Sequence, residues 1–567
     1  MAIVLTMVTG CSPNFHKADA DKEVYKIIDA KWQNNFGQQA NYTISDSNIS
    51  SPNDVNVDKT PIASEPMTLA QAVAIATKYN RDYQFQKENL YLKALTLTGE
   101  RYKYALHWFG TVDAEYTKSG QEVTKTKTEY WPERTVTKQV WDNTDEKTIK
   151  AQSGVSKTIL TPDGIMLNTS LVFDWARFIT GDTRTTLSGI LSGTLDIPLL
   201  GNGAGKTAWE NLTQAERDVL YQIRAFNRYR QTFVVDTINA YYGVLQNKDG
   251  VTNAKNNWNS SVEYRKQAEM EAKTGRTAPY EVDQARQREL SAYDSYVTTL
   301  QNYEQSLDSF KIRLSLSVNT PLELDQNELK VLQKYGTTSP QYTVDNAIET
   351  AMNCRLDLAN SFDSIDDAQR KVKLASEGLG PRLDLTGSAN VNSQGNDNIN
   401  NFQFHRGTYG LGLSADLPFD RKNQRNTYRE ALITLEQQQR AYSQNVDFVV
   451  QGVRQDYRQL MATSEQFNTQ KKSLAIAEER VKNMPLLIKS SRAKTRDLLD
   501  AQDSLLSAQN ALTAALISHL NAKLGFYRDI GILQVKPDGM WTQPETTVSR
   551  NQTNEREQGK RSSEDNL

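Results

Sequence analysis

The chain has 567 residues, of which 38% are hydrophobic, and a formal net charge of -2 at pH 7. This near balance of charge gives no support for nucleic acid or an acidic membrane surface as a partner. The low apolar content argues against a thick globular core and favours long polar helices, a water-filled interior or an oligomer.

The N-terminus carries a short apolar run, residues 2–8, that leads into Val8-Thr9-Gly10-Cys11. This sequence is similar to the lipobox of bacterial lipoproteins, in which the cysteine is acylated and becomes the first mature residue. We therefore expect residues 1–10 to be the remnant of a lipoprotein signal peptide, with a translation start further upstream, and Cys11 to be lipidated. The alternative is an unprocessed N-terminus. Residues 11–66 form a polar leader with a helix-like patch at 23–32.

Five segments have helical periodicity, and several are far longer than ordinary globular helices. At 1.5 Å per residue, the longest uninterrupted segment would extend about 100 Å. Such lengths predict coiled-coil packing, with one face on neighbouring helices and the other in water. The segments are 67–106, 207–272, 279–315, 424–488 and 493–529.

The strand-like segments alternate apolar and polar residues, as in 383–391 and 409–417. Alternation over about ten residues is typical of strands that face lipid on one side. The alternative is a soluble sandwich. Four further stretches in the first half have strand character, with a turn at 161–164 and a polar loop at 119–149. These are 107–118, 150–160, 164–175 and 187–197.

The chain contains one long internal repeat. Four sequence blocks recur in the same order, beginning with MTLAQAVAIATKYNRDY at Met67 and YTVDNAIETAMNCRLDL at Tyr342. We therefore divide the chain into repeat 1, a connector, repeat 2 and a disordered, charged tail. Their bounds are 67–320, 321–341, 342–535 and 536–567.

The glycines at 201, 203 and 205 precede Lys206 and Thr207, which suggests a phosphate-binding loop. Such a loop needs a glycine five residues before Gly205, where this chain has Leu200, and a buried parallel strand before it. The preceding residues alternate instead. We interpret the stretch as a strand-proline-helix junction at Pro198, which has a counterpart at Pro418 in the second half.

The lipobox, the duplicated halves and the sequence DLLDAQDSLLSAQNALTAAL from Asp497 together resemble the TolC-type outer-membrane efflux protein family, in its lipoprotein branch. The resemblance implies a membrane α+β fold: a trimeric outer-membrane β-barrel continued by a long α-helical coiled-coil tunnel, with two internal repeats per chain. Family members usually supply two strands per half. The additional strands here imply either a larger barrel or a hairpin that projects above it.

The resemblance implies a passive function without chemistry of its own. The chain would be the exit duct of a tripartite efflux or type I secretion system, lipid-anchored in the outer membrane of a Gram-negative-type bacterium and extending into the periplasm. Its partners would be two further copies, outer-membrane lipid, a periplasmic adaptor and an inner-membrane pump, with no nucleic acid. The alternative is a coiled-coil periplasmic lipoprotein scaffold without channel activity. No enzyme, cofactor or metal site is expected, because the sequence has four histidines and no metal-ligand spacing.

The resemblance also implies site residues at the periplasmic end of the tunnel. Asp497 and Asp500 match the family's gate aspartates and share one helix face because they are three residues apart. Glu281 occupies the position of a family aspartate that helps to close the coils, and Arg286 matches a nearby arginine.

Two interhelical turns lie where family members meet their adaptor. The first contains Gly275, the family's turn glycine, and Arg276. The second contains Ser491, where the glycine is absent, and Arg492.

Overall fold

The structure is a computed structural model of the whole chain. It describes residues 12–32, 39, 42–44, 66–130, 133–179, 185–201, 203–275, 278–335, 342–394, 401–417, 419–490, 492–493, 495–536 and 541–542. These residues fall into two compact units, each built from both halves of the sequence. The strand unit contains Lys93–Val219 and Asp363–Gln439, and the helical unit contains Tyr25–Leu92, Leu220–Phe362 and Arg440–Leu567.

The helices of the two halves follow the same order and have similar lengths. In the first half they span 11, 22, 70 and 35 residues, and in the second half 11, 22, 68 and 35. A leader helix and a connector helix are additional. The helices are α1 (Pro13–Lys31), α2 (Leu69–Tyr79), α3 (Arg81–Tyr102), α4 (Ala204–Lys273), α5 (Pro279–Arg313), α6 (Asn327–Tyr335), α7 (Val344–Cys354), α8 (Leu356–Glu377), α9 (Lys422–Lys489) and α10 (Thr495–Asp529).

The single helix predicted over 67–106 is wrong at Asn80, where the chain becomes extended between α2 and α3. The Asn80 side chain accepts a hydrogen bond from the Tyr83 N–H at 3.0 Å and donates to the Arg313 carbonyl at 2.8 Å. An asparagine can satisfy backbone groups in this way without a helical conformation of its own. In the second half, Arg355 separates α7 from α8 and donates to the Asp529 carbonyl at 3.3 Å.

The strand unit holds one antiparallel sheet of six strands in sequence order. The first two strands are much longer than the others and pair with each other over their full length. The predicted loop at 119–149 is therefore wrong, because those residues extend the hairpin. The strands are β1 (Leu106–Tyr130), β2 (Glu133–Leu160), β3 (Met166–Phe178), β4 (Thr185–Leu200), β5 (Arg382–Asn392) and β6 (Thr408–Asp416).

Aromatic and aliphatic side chains form the core of the helical unit. Tyr241 and Phe310 are fully buried at a ring distance of 6.0 Å, and Phe526 is buried among residues of the second half. The last residues of α1, from Tyr25 onward, belong to this unit: Ile28 is buried, and Tyr25 packs edge-on against Tyr91 of α3 at 5.9 Å. Burial of these apolar side chains, rather than helix propensity, stabilises such long helices.

At the end of the described chain, β7 (Gln534–Val535) pairs with β8 (Trp541–Thr542). The predicted absence of structure from residue 536 is therefore wrong at these two residues of β8. The remaining part of that predicted tail lies outside the described residues.

Candidate functional site

The glycine-rich stretch joins β4 to α4, and the turn between β2 and β3 packs against it. A Cβ atom on Gly205 would lie 1.9 Å from the carbonyl oxygen of Gly164 in that turn. Gly164 itself has a positive φ of 82°, which favours glycine. Gly205 is therefore required by close backbone contact between the turn and the start of α4.

Pro198 lies in β4, at a register irregularity between β4 and β5. Its predicted counterpart, Pro418, lies outside the described residues. Lys206, the lysine of the apparent phosphate loop, pairs with Glu377 of α8 at 2.9 Å. The stretch thus acts as a packed junction between a strand and a helix.

Small residues bring α4 and α5 together near their shared turn. Ala268, Val282 and Ala285 are buried there, with Tyr264 packed against them. Burial and the nearby Glu281 carboxylate raise the pKa of Tyr264 to about 12. Close packing of small side chains is typical of the antiparallel coiled coil that the helix lengths predicted.

The structure describes part of each of the two turns that were predicted to bind an adaptor. Gly275 has a φ of 73° and donates to the Ala272 carbonyl at 3.0 Å, so it ends α4 in the left-handed conformation that glycine adopts readily. Pro279 then begins α5. Arg492 is exposed and its N–H donates to the Leu487 carbonyl at 2.9 Å. Arg276 and Ser491 lie outside the described residues.

Glu281 and Arg286 lie on α5 but take part in different contacts. Glu281 is half-buried in the first turn and accepts a hydrogen bond from the Tyr280 hydroxyl at 3.3 Å. Arg286 lies 3.2 Å from Glu269 of α4 and 3.9 Å from Asp283. Within the described part of the chain, Arg286 therefore links α4 to α5.

Asp497 and Asp500 lie at the start of α10, where the helix dipole favours negative charge. Asp497 is half-buried and Asp500 is exposed. The next acidic residue of the helix, Asp503, forms an ion pair with Arg288 of α5. Burial lowers the pKa of Arg288, and the charge of Asp500 opposes that effect. The structure thus brings Asp503 and one of the two predicted gate carboxylates, Asp500, near a cation of the other hairpin.

The contact of Arg288 with Asp503 was not predicted from the sequence, and neither was a three-residue chain of charges across α4 and α5. In that chain Arg265 pairs with Glu269 at 3.0 Å and with Glu289. The spacing of Arg265 and Glu269 by four residues was a usable signal, because such residues are neighbours on a helix face. No comparable local spacing predicts the contact of Arg288 with Asp503.

A second cluster of charges, also unpredicted, lies among α4, α9 and the end of α10. Arg228 contacts Asp529 at 2.5 Å. Burial, followed by the adjacent Asp529 carboxylate, raises the pKa of Asp456 to about 7. Although burial acts in the opposite direction, the hydrogen bond from Arg528 helps to lower the pKa of Asp529 to about 2. The two carboxyl groups therefore hold one proton between them near neutral pH.

The comparisons with known proteins agree with this architecture. Residues 347–531 match the family model described as outer membrane efflux protein. The chain is 23% identical over 339 residues to the outer membrane protein TolC of Salmonella enteritidis, in a match that covers 57% of this chain and 66% of that protein. This match thus spans slightly less than two thirds of the relative.

Solved structures of outer-membrane channels have the same fold. The CmeC channel of Campylobacter jejuni matches with a TM-score of 0.55 and 14% identity, covering 87% of this chain and 89% of that chain. The outer membrane protein VceC of Vibrio cholerae matches with a TM-score of 0.56 and 12% identity, covering 82% and 96%. The chain has the fold of these channels. Together with the sequence matches, this confirms the predicted relationship to the TolC-type outer-membrane efflux protein family.

The described residues lack two further kinds of feature. No helix among them is both long enough and apolar enough to cross a membrane. No group of three or more histidine, cysteine, aspartate or glutamate residues among them is arranged to hold a metal ion.

Proposed function

We propose that this chain is the outer-membrane exit duct of a tripartite efflux or type I secretion system. Three copies would close a β-barrel in the outer membrane and a helical tunnel in the periplasm. Substrate would move passively, because an adaptor and an inner-membrane pump would supply both selection and energy. The duct would itself catalyse no reaction.

One observation carries this proposal: in the part where all six strands pair, the sheet has a mainly apolar face and a polar face. On β6, for example, Leu411 and Leu413 are 80% and 65% exposed, a large apolar area for one strand of a single chain. Lipid is a suitable cover for such a face, with the polar face toward water. The coiled-coil scaffold considered above gives no reason for this face.

The proposed gate is the start of α10, with Asp497, Asp500 and Asp503 near Arg288 of α5. Three copies around an axis would bring several carboxylates together, and their mutual repulsion must be offset by cations. The ion pair of Asp503 with Arg288 supplies one such cation within the chain. Glu281, Arg286 and the charges of α4 would keep the other hairpin closed.

Single-channel conductance in planar lipid bilayers tests the duct and its gate together. We expect small, mostly closed conductance for the unmodified protein and a several-fold rise for the double variant Asp497→Ala with Asp500→Ala. The matched control, Asp447→Ala with Glu465→Ala, removes two exposed charges of α9 and should leave conductance unchanged. Complete absence of channels in the unmodified protein would favour the scaffold. An equal rise in both double variants would contradict the gate.

The adaptor proposal rests on the exposed turn at Arg492 and on the turn that contains Gly275 and Arg276. A cysteine placed at Arg492 should crosslink to a co-expressed periplasmic adaptor. The same cysteine at Asp294, which is exposed on α5 well away from the turn, should give no crosslink. Equal capture from both positions would argue against docking at the turns.

The lipid anchor at Cys11 is proposed from its sequence context, since Cys11 lies outside the described residues. Metabolic labelling with palmitate should mark the full-length protein and should be lost in Cys11→Ser. Labelling that persists in this variant would contradict acylation at Cys11.

A further inference from the structure

The first half supplies four strands to the sheet and the second half supplies two. The additional pair is β2 and β3, whose turn packs on the junction before α4. The segment of β2 from Thr148 to Leu160 pairs with the whole of β3. This hairpin therefore belongs to the same continuous sheet as β4, β5 and β6. Beyond Thr148, β2 pairs with β1 alone.

Polar contacts on one face run without interruption through the additional strands. Glu115 of β1 pairs with Lys150 of β2 at 2.8 Å. Thr158 of β2 donates to Asn168 of β3 at 2.7 Å. Ser170 of β3 contacts Ser192 of β4 at 2.6 Å. Water-facing character is thus shared by the additional hairpin and the rest of the sheet.

The opposite face is mainly apolar on the same strands, although it also carries Ser153 and Lys157 of β2 and Thr169 of β3. Successive side chains of a strand point to opposite faces, so residues two apart share a face. Valine, leucine, phenylalanine and tryptophan follow this spacing in both additional strands and in β1. The apolar residues on this face include Trp108 and Val112 of β1, Val155 and Ile159 of β2, and Leu171, Phe173 and Trp175 of β3.

The strands are also staggered as in a closed barrel. A line of directly paired residues that starts at the first residue of β1 reaches β6 at Tyr409, six residues before Ala415, which lies opposite Leu106 of a neighbouring copy when the two apolar faces match. Six residues rise about 20 Å, while six strand spacings measure about 29 Å, so the strands of such a ring tilt by roughly 35°. Closed membrane barrels have tilts of about 35–45°. The paired residues are Leu106, Lys157, Thr169, Gly193, Ala389 and Tyr409.

Among the described residues, no further strand pairs with the two edges of this sheet, one on β1 and one on β6. Because six strands alternate in direction, β1 and β6 run antiparallel to each other, and β6 of one copy can pair with β1 of the next. Every residue of β6 is exposed in the single chain, as expected for a strand that awaits a neighbour.

We propose that β1 is the edge that receives β6 of a neighbouring copy, so that three six-stranded sheets close into an eighteen-stranded barrel. The inference rests on the proposed trimeric duct, and it assigns the partner strand. Matching the apolar faces places Leu413 of one copy opposite Trp108 of the next. The barrel diameter between backbones is then roughly 33 Å, against roughly 22 Å for twelve strands at the same tilt.

Disulfide crosslinking between copies tests this assignment in the full-length protein in its membrane. Exposed Cys354 is first replaced by serine. The variant Trp108→Cys with Leu413→Cys should then give covalent dimers and trimers on oxidation, because paired strands bring Cα atoms within disulfide range. Leu411→Cys and Ala415→Cys, each with Trp108→Cys, allow for a register two residues away.

The matched alternative variant is Thr169→Cys with Leu413→Cys. It forms a crosslink if β3, and not β1, is the edge that pairs with β6 of the neighbouring copy. In that arrangement the barrel has twelve strands and the β1–β2 hairpin lies outside it. Crosslinks in the Trp108 series but not in the Thr169 variant support the proposal. Crosslinks only with Thr169 overturn it, as does their absence in all variants. The native mass of each sample shows whether a trimer formed, so failure of the proposed function is separable from failure of the strand assignment.

Discussion

The two places where a strand passes into a long helix differ in a way that explains the glycine-rich stretch. In the first half, the backbone of Gly205 touches Gly164 of the β2–β3 turn. In the second half, Asp420 accepts a hydrogen bond from the Lys422 N–H at 3.1 Å, and the residues around it are exposed. Within the part of the chain that the structure describes, no inserted hairpin packs against the second junction, and its sequence from Leu417 to Thr427 contains no glycine.

This difference shows that Gly205 and the additional strands belong to one structural change, whereas Gly201 and Gly203 lie against Pro381 and Pro198. Insertion of a hairpin placed its turn against the start of α4, and only a residue without a side chain fits at Gly205. Apparent nucleotide-binding glycines can therefore arise from packing alone. Mutations at positions where the two halves differ test this explanation through their effect on stability.

The largest expected effect is at the first junction. Gly205→Ala forces its Cβ against the Gly164 carbonyl, and we expect it to cost about 3 kcal/mol of stability, in the upper part of the range for overpacking. Thermal unfolding of the purified protein in detergent, followed by circular dichroism, measures the change.

The control for this prediction is Gly243→Ala in the middle of α4, where an added Cβ meets no atom within 4 Å. Alanine is the better helix former, so this variant should gain about 0.5–1 kcal/mol. A similar thermal midpoint for both variants would contradict the packing account of the glycines.

A smaller effect is expected at the break between the first two helices of each half. Asn80 is buried and satisfies two backbone groups, so Asn80→Ala should cost about 2 kcal/mol. Asn80→Asp retains the acceptor for Tyr83 but loses the donor to Arg313, and it should fall between alanine and the unmodified protein. Equal thermal midpoints for all three would mean that the bridge does not stabilise the break.

A pH-dependent effect is expected at a position where the aligned halves carry Tyr241 and Asp456. Tyr241 donates to the Met67 carbonyl at 2.9 Å, whereas Asp456 faces a second carboxylate. Because the pKa of Asp456 rises from 3.8 to about 7 on folding, the folded state retains a proton between those values. Its contribution to stability therefore declines as pH rises from about 4 to 7.

Asp456→Asn should remove this decline, because asparagine does not ionise. We expect the thermal midpoint of the variant to exceed that of the unmodified protein at pH 8 and to approach it at pH 5. The lowered pKa of Asp529 affects stability only below about pH 4, outside this range. A constant difference between the two proteins from pH 5 to 8 would rule out titration of Asp456 as the cause.

Much of the fold could be predicted from sequence, because periodicity over long segments is a strong signal. The observed bounds of α4 and α9 differ from the predicted ones by only a few residues. The break at Asn80 was missed because it depends on a contact with Arg313, which is distant in sequence. The loop predicted at 119–149 was wrong because polar strands that pair only with each other lack apolar alternation.

The candidate site was less accessible to sequence reasoning. The resemblance nominated Asp497 and Asp500 but not Arg288, whose contact with Asp503 joins two hairpins far apart in the chain. The contact of Gly205 with Gly164 is likewise a tertiary contact, and its local sequence suggested an unrelated motif. When the role of a residue depends on contact with a distant segment, the spacing of residues within its own segment does not identify it.

Electron cryomicroscopy of the full-length protein in lipid nanodiscs tests the central claim most directly, because one cross-section at membrane level reports symmetry, lumen and strand number together. The account predicts a threefold ring of eighteen strands around an open lumen. A threefold ring of twelve strands with the β1–β2 hairpin outside it would contradict the strand assignment. A particle without a closed ring of strands would contradict the duct itself.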